Sequence, residues 1–233
     1  MNIIITGASS GIGFEAVIDL VLKGHRVLAL ARSTEKLETL SKICISLNPD
    51  AQIYCLPFDI VNGNYDVDLI PVIQEIFPKI DILVNNAGTL VNKPFADLSP
   101  GDFSKMFQTN FFGHVMMIQK MLPHFNEQAH IVNIGSMGGY QGSSKFPGLA
   151  AYSASKAALH NLTECLAEEF KDRNIKVNCL ALGSAQTEML EEAFPGYQSP
   201  VTAFDMGEYI AHFALTGHKI FNGKVLPIAV TTP

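Results

Sequence analysis

Asn2-Ile3-Ile4-Ile5-Thr6-Gly7-Ala8-Ser9-Ser10-Gly11-Ile12-Gly13 places an apolar run, a glycine-rich turn and the opening of a helix in direct succession. A short apolar run bounded by glycine reads as a strand buried on both faces. The glycines allow a tight turn and a close backbone approach, and the helix behind them presents free N–H groups with positive dipole character. A pyrophosphate suits such a turn. A glycine turn alone reads nearly as well as a plain loop, but the strand before it and the helix after it supply the required context. Gly7, Ser9, Ser10, Gly11, Ile12 and Gly13 are therefore candidate cofactor contacts.

Outward from this stretch, short apolar runs alternate with longer amphipathic segments, the pattern of β-α units around a parallel sheet. Strands are expected at Asn2–Thr6, Arg26–Ala31, Gln52–Leu56, Ile80–Val84, His130–Ile134, Lys176–Ala181 and Lys224–Val230. Helices are expected near 11–23, 34–47, 66–78, 101–122, 150–171 and 205–216. Ser99-Pro100-Gly101-Asp102 offers an N-cap, a first-turn proline and an acid, and Ser33 with Glu35 offers a less complete start. The expected fold is α/β: a Rossmann-like, doubly wound, seven-stranded parallel sheet with helices on both faces, forming one domain over residues 1–233. Ligands of such sheets sit beyond the carboxyl ends of the strands, so the irregular stretches 88–99, 137–149 and 183–204 are expected to build the substrate site.

The 233 residues are 48% hydrophobic and 16% charged, with 18 glycines. Those values fit a compact globular chain with a substantial core. A net charge of −6 without a basic stripe argues against nucleic-acid binding by counterion release. Cys44, Cys55, Cys165 and Cys179 lie far apart and show no metal spacing, so buried reduced thiols and no metal are expected. Seven scattered histidines, His114 and His124 among them, read as satisfied or solvated side chains. With no leader-like start and no apolar run of about 18 residues, a cytoplasmic location without membrane contact is expected.

Nineteen residues beyond Gly13, the second strand ends in Leu30-Ala31-Arg32-Ser33. An acid near this position suits the ribose hydroxyl of NAD, whereas an arginine suits the 2′-phosphate of NADP. Arg32 and Ser33, with the Ser10 hydroxyl beside them, therefore favour NADP(H) over NAD(H). Further along, Tyr152 and Lys156 stand four apart in a stretch rich in small residues and helix formers, so they share a helix face. An ammonium group beside a phenol favours the ionised form and lowers its pKa. Reaching neutrality from about 10 takes on the order of 4 kcal/mol, much for one cation, and a second positive charge such as a nicotinamide ring would help.

With the glycine turn and the Tyr-Lys pair stand Asp59 after the third strand, Asn85-Asn86-Ala87-Gly88 after the fourth, Asn110 in the long helix and Ser136 in Asn133-Ile134-Gly135-Ser136. Together these ordered motifs resemble the short-chain dehydrogenase/reductase family, in its compact members, from the first strand to past residue 190. The resemblance implies that Asp59 accepts from the adenine amino group and that Asn86, Ala87 and Gly88 lie against the adenosine. It also implies that Ser136 bonds a substrate carbonyl, Tyr152 passes the proton, Lys156 holds the ribose and tunes the tyrosine, and Asn110 positions a water. Gly183 and Thr187 would contact the nicotinamide side.

Read singly, Asp59 is also a turn cap, Ser136 a strand-end turn former and Asn110 a buried helix amide. The expected activity is NADP(H)-dependent oxidoreduction of a small to medium carbonyl or alcohol, in a homodimer or homotetramer. The alternative is a non-catalytic, redox-sensing nucleotide-binding module. Leu182-Gly183 replaces the family's usual Pro-Gly, which implies a different shape for Ser184-Ala185-Gln186-Thr187 and weaker cofactor binding or a more mobile loop, whereas the sixteen-residue interval from Ser136 to Tyr152 exceeds the usual one and should change the pocket wall rather than the chemistry. Phe194 and Tyr197 are read equally as pocket cover or packing. The apolar run from Phe103 through Met117 is read as core or subunit seam.

Overall fold

Ile3, Ile4 and Ile5 have no exposed surface in the computed structural model, which describes residues 1–230; the last three positions of the expected 1–233 domain lie outside the described residues. Strand side chains alternate between faces, and the isoleucines divide accordingly. Ile3 and Ile5 join one apolar cluster and Ile4 joins the other. Burying each contributes about 1.5 to 3 kcal/mol relative to leaving it in water.

This strand, β1 (Asn2–Thr6), is followed in the sheet by β2 (Arg26–Ala31), β3 (Ile53–Pro57), β4 (Ile80–Asn85), β5 (Phe125–Ser136), β6 (Ile175–Leu182) and β7 (Val225–Ile228). All pair in parallel, in the order β3-β2-β1-β4-β5-β6-β7. The helices are α1 (Gly11–Leu22), α2 (Thr34–Leu47), α3 (Ile70–Ile76), α4 (Pro100–Phe107), α5 (Gly113–Met121), α6 (Ala150–Glu169), α7 (Glu188–Ala193) and α8 (Ala203–Thr216). Residues of α1, α2 and α8 pack on the Ile3 and Ile5 face, and residues of α3, α5 and α6 on the Ile4 face. The order of connection reverses between β1 and β4, where such a sheet opens a crevice.

Four departures from the expected elements have local causes. The helix expected at 101–122 is broken by a π turn at Gln108–Phe112, in which the Gly113 N–H bonds the Gln108 carbonyl. Apolar spacing on either side stays helical and hides the extra residue. The helix expected at 66–78 likewise opens with a π turn, Tyr65–Leu69, capped by Asn64. β5 begins at Phe125 rather than at 130, because its polar start at Asn126, Glu127 and Gln128 is exposed and its register with β4 shifts. The stretch 183–204 contains α7, whose Thr187 side chain accepts from the Leu190 N–H. At six residues it is too short to leave a periodic signal. Ser99 and Asp102 form the expected capping box, while Cys165 is exposed, contrary to the expected burial.

His114, His130 and His160 are buried, and burial pushes their pKa values down, to about 3, about 4 and about 4. His130 shows why the neutral form is held. Its Nδ1 faces the Ala214 carbonyl at 2.9 Å, and its Nε2 takes the Asn178 amide at 3.1 Å. A proton on Nε2 would break the second contact. As pH falls from 6.5 toward 4, the unfolded chain takes up protons that the folded chain refuses, so stability falls by up to about 1.4 kcal/mol per pH unit per histidine. Urea unfolding between pH 7 and pH 5 should therefore show a steep loss, shallower in His130→Leu. Equal slopes in the two proteins would refute this account.

Candidate active site

Side-chain hydrogen bonds join the ends of β1 and β4. Thr6 Oγ1 accepts from the N–H groups of Asn86 and Ala87, and Asn86 Nδ2 donates to the carbonyls of Thr6 and Gly7, each at 3.0 Å. No side chain fits between them. A Cβ on Gly7, whose φ is +69°, would lie 2.6 Å from Ala87 Cα, and one on Gly13 would lie 2.3 Å from Asn86 Nδ2. Ser10 precedes α1 but makes no side-chain cap, unlike Ser33, Ser99 and Thr202 before their helices. The first N–H groups of α1 therefore have no side-chain partner from Ser10.

This turn floors a cleft of about 860 Å³. Gly7, Ser9, Ser10, Gly11, Ile12, Arg32, Asp59, Asn86, Ala87, Gly88, Ser136, Tyr152, Lys156, Gly183 and Thr187 all line it. Three candidates stand behind the lining. Gly13 packs against Asn86, Ser33 caps α2 by accepting from the Lys36 N–H at 3.3 Å, and Asn110 lies fully buried in the π turn. Thr187 reaches the glycine turn from the opposite rim, its Cγ2 3.1 Å from where a Gly11 Cβ would be. Arg32 is exposed. Asp59 Oδ1 accepts from the Val61 N–H at 2.9 Å and Oδ2 from Asn62 Nδ2 at 3.1 Å, so it does cap the following turn. Partial burial works against its charge, but those donors and the Arg32 guanidinium hold the carboxyl below its ordinary pKa.

Tyr152 and Lys156 lie on α6 and Ser136 ends β5. Lys156 is 3% exposed, its Nζ donates to the Ile134 carbonyl at 2.8 Å, and burial lowers its pKa to about 8. Its Nζ stands 6.0 Å from the Tyr152 ring centre. The tyrosine corrects the expectation of a lowered pKa: burial raises it, and the neighbouring Ser136 hydroxyl only partly opposes this. Desolvation of the phenolate outweighs an ammonium that is held by a backbone carbonyl.

Asn110 Oδ1 accepts from the Thr89 N–H at 2.8 Å, while its Nδ2 donates to the Thr89 carbonyl and to Ser155 Oγ. Its amide thus ties the β4 loop to α6, with both amide protons engaged and one lone pair of Oδ1 left to accept.

Beneath Ser136 lie residues that sequence reading missed. The Ser136 N–H donates to His160 Nε2 at 3.4 Å, and a Cβ on Gly135 would lie 2.2 Å from that nitrogen and 2.7 Å from Cys179 Sγ. Only glycine fits there. His114 departs from the expected satisfied or solvated state: it has no exposed surface, and among the described residues neither ring nitrogen has a hydrogen-bond partner of good geometry. Its low pKa comes from burial and then from the Lys156 charge, slightly offset by the Ala87 backbone.

A second cleft, of about 350 Å³, opens from the same Ser136 and Tyr152. The three irregular stretches meet at its wall. Asn92 Nδ2 donates to the Ala193 carbonyl at 2.7 Å, and the Lys93 N–H donates to the Gly148 carbonyl at 3.0 Å. Phe194 and Tyr197 line this cleft, and so does Phe146 from the lengthened interval before Tyr152.

The family model for short chain dehydrogenases matches residues 1–198. The chain belongs to the short chain dehydrogenase family. An uncharacterized oxidoreductase of Staphylococcus aureus (strain MW2) is 30% identical over 216 residues, which are 91% of this chain and 90% of the relative. Among solved structures, an actinorhodin polyketide ketoreductase with NADPH is 25% identical at a TM-score of 0.85, covering 98% of this chain and 95% of that one. A 3-ketoacyl-(acyl-carrier-protein) reductase from Brucella melitensis, complexed with NADH, shares the fold at 24% identity and a TM-score of 0.83, covering 97% and 96%. Those two proteins carry different nicotinamide cofactors, so the preference of this dehydrogenase must be argued from its own residues.

The glycine cradle fits a dinucleotide cofactor. Side chains at Gly7 and Gly13 would collide with the β4 loop, and the uncapped α1 terminus faces the cleft that such a molecule would fill. Thr6 and His160 hold this short chain dehydrogenase's site together from below, and local sequence carries no signal for either.

Proposed function

We propose that this short chain dehydrogenase is an NADP(H)-dependent oxidoreductase that interconverts a carbonyl and an alcohol, with Tyr152 as the proton-transferring group. One observation carries the reading: Ser136 and Tyr152 line both the large cleft and the small one, so a molecule in each would meet at these hydroxyls. NADP(H), when bound, supplies or accepts the hydride at the carbonyl carbon. The protein's residues handle the oxygen. Ser136 Oγ accepts from the Gly138 N–H at 3.1 Å, which leaves its proton for a carbonyl oxygen, and Tyr152 gives that oxygen its proton. Lys156, with one proton engaged by Ile134, has two more to offer a ribose and the phenolate left behind. A panel of carbonyl compounds followed by NADPH absorbance tests the reading, and failure of every one would count against it.

The NADP preference rests on Arg32, which makes no ion pair among the described residues and stands where Ala31 and Ser33 provide no acid. A charge-assisted contact to a 2′-phosphate contributes about 1.5 to 3 kcal/mol. Arg32→Asp should therefore weaken NADPH binding by about 10²-fold while leaving NADH binding equal or tighter, as measured by titration of each cofactor. An unchanged ratio would refute the assignment. Phe112 and Met116, 48% and 39% exposed beside the buried Met117, favour a subunit contact on this face and hence the homodimer or homotetramer.

A further inference from the structure

The small cleft differs from the large one in what it lacks. Arg32, Asp59, Lys105, Lys156 and Glu188 line the large cleft, but among the described residues no charged side chain lines the small one. Leu90, Phe146, Leu149, Leu190, Phe194 and Val201 are among the apolar residues of its wall. Beyond Ser136 and Tyr152, its side-chain hydroxyls are those of Ser184 and Tyr197. These two face each other at 3.3 Å, and Ser184 Oγ also meets Ser199 Oγ at 3.1 Å. Nearby cations are committed elsewhere: Lys93 Nζ pairs with Asp102 at 2.9 Å, and Lys145 bonds the Tyr140 carbonyl and Ser143 Oγ.

We propose that the substrate is an uncharged, largely apolar ketone or aldehyde, and that this cleft excludes carbonyl compounds bearing a carboxylate or phosphate. The proposal rests on the reading of Ser136 and Tyr152 as the reacting pair. A volume of about 350 Å³ stands near the lower end of ligand clefts, which run from about 300 to 1,000 Å³, so the reacting portion is small. The Ser184 and Tyr197 hydroxyls face each other, while Ser136 and Tyr152 serve the carbonyl oxygen. An ionised group alongside it would lose its hydration without gaining a cation or a donor, and an unpaired charge in apolar surroundings is far more costly than an unpaired amide. Apolar carbons gain from the same surface, about 25 cal/mol for each Å² removed from water. Phe146, 46% exposed, closes the outer wall. It comes from the part of the chain that lengthens the Ser136 to Tyr152 interval, so that lengthening supplies apolar wall.

The test compares 4-methylacetophenone with 4-acetylbenzoate, which match in shape and differ in charge. With NADPH, kcat/KM for the neutral ketone should exceed that for the carboxylate by at least about 10²-fold. Phe146→Arg, which places a cation on an exposed part of the wall, should narrow that ratio by about tenfold. Comparable or faster turnover of the carboxylate by the unaltered enzyme overturns the proposal and leaves the oxidoreductase reading standing. Turnover of neither counts against that reading instead. Titration calorimetry of both ketones into the NADP-loaded Tyr152→Phe protein then decides the substrate class: tighter binding of the neutral ketone supports it, and equal binding overturns it.

Discussion

Tyr152→Phe should lower kcat by about 10³-fold while leaving NADPH affinity within about twofold. The range for a positioned acid or base is about 10² to 10⁴. The substitution removes one oxygen and keeps the half-buried ring, and the backbone carbonyl of residue 152 still accepts from Ser155 Oγ at 2.7 Å, so α6 should hold its shape. Cofactor titration by NADPH fluorescence separates loss of chemistry from loss of binding. Substantial turnover in this variant would remove Tyr152 from the mechanism. Because burial raises the phenol's pKa in the protein alone, Tyr152 holds its proton at neutral pH and is set up to donate. Alcohol oxidation needs the opposite state. The positive charge of an oxidised nicotinamide would favour it by stabilising the phenolate.

The sign of that shift shows where sequence reading stops. Tyr152 and Lys156 are legible as a pair because helix periodicity is local, but burial of the phenol depends on β5, β6 and the 183–204 segment closing around it. The same limit explains Thr6 and His160. Each acts through a partner far along the chain, Asn86 and Ser136 respectively, and the sheet order brings those partners together. β1 was readable because three consecutive isoleucines between a start and a glycine turn have few other uses. The π turn at Asn110 was not, since inserting one residue into a helix leaves no compositional trace. What it produces is an inward amide that clamps Thr89 and Ser155. The wall of the small cleft was legible only as apolar loops; that no charge lines it among the described residues emerges when the three loops are joined through Asn92 and Lys93.

Lys156→Met should raise stability and abolish turnover together. In the folded chain Lys156 releases its proton at about 8, against 10.5 in its ordinary state, so holding it charged at neutral pH costs about 3 kcal/mol. Methionine fills similar space without a charge, and losing the bond to the Ile134 carbonyl gives back about 1 kcal/mol. The net gain at pH 7 is about 2 kcal/mol. Between pH 8 and 10.5 the unfolded chain binds the lysine proton while the folded chain has released it, so the wild-type penalty fades as pH rises through that window. The stability difference between the two proteins, read from urea unfolding, should therefore shrink from pH 7 to pH 10. A difference that stays constant would show that the buried ammonium is not the source. kcat should fall by about 10³-fold in the same variant, because the apolar side chain can neither hold a ribose nor support a phenolate. Both outcomes together would mark Lys156 as strain kept at the place where it is used, the trade-off expected where chemistry needs a charge that the core disfavours.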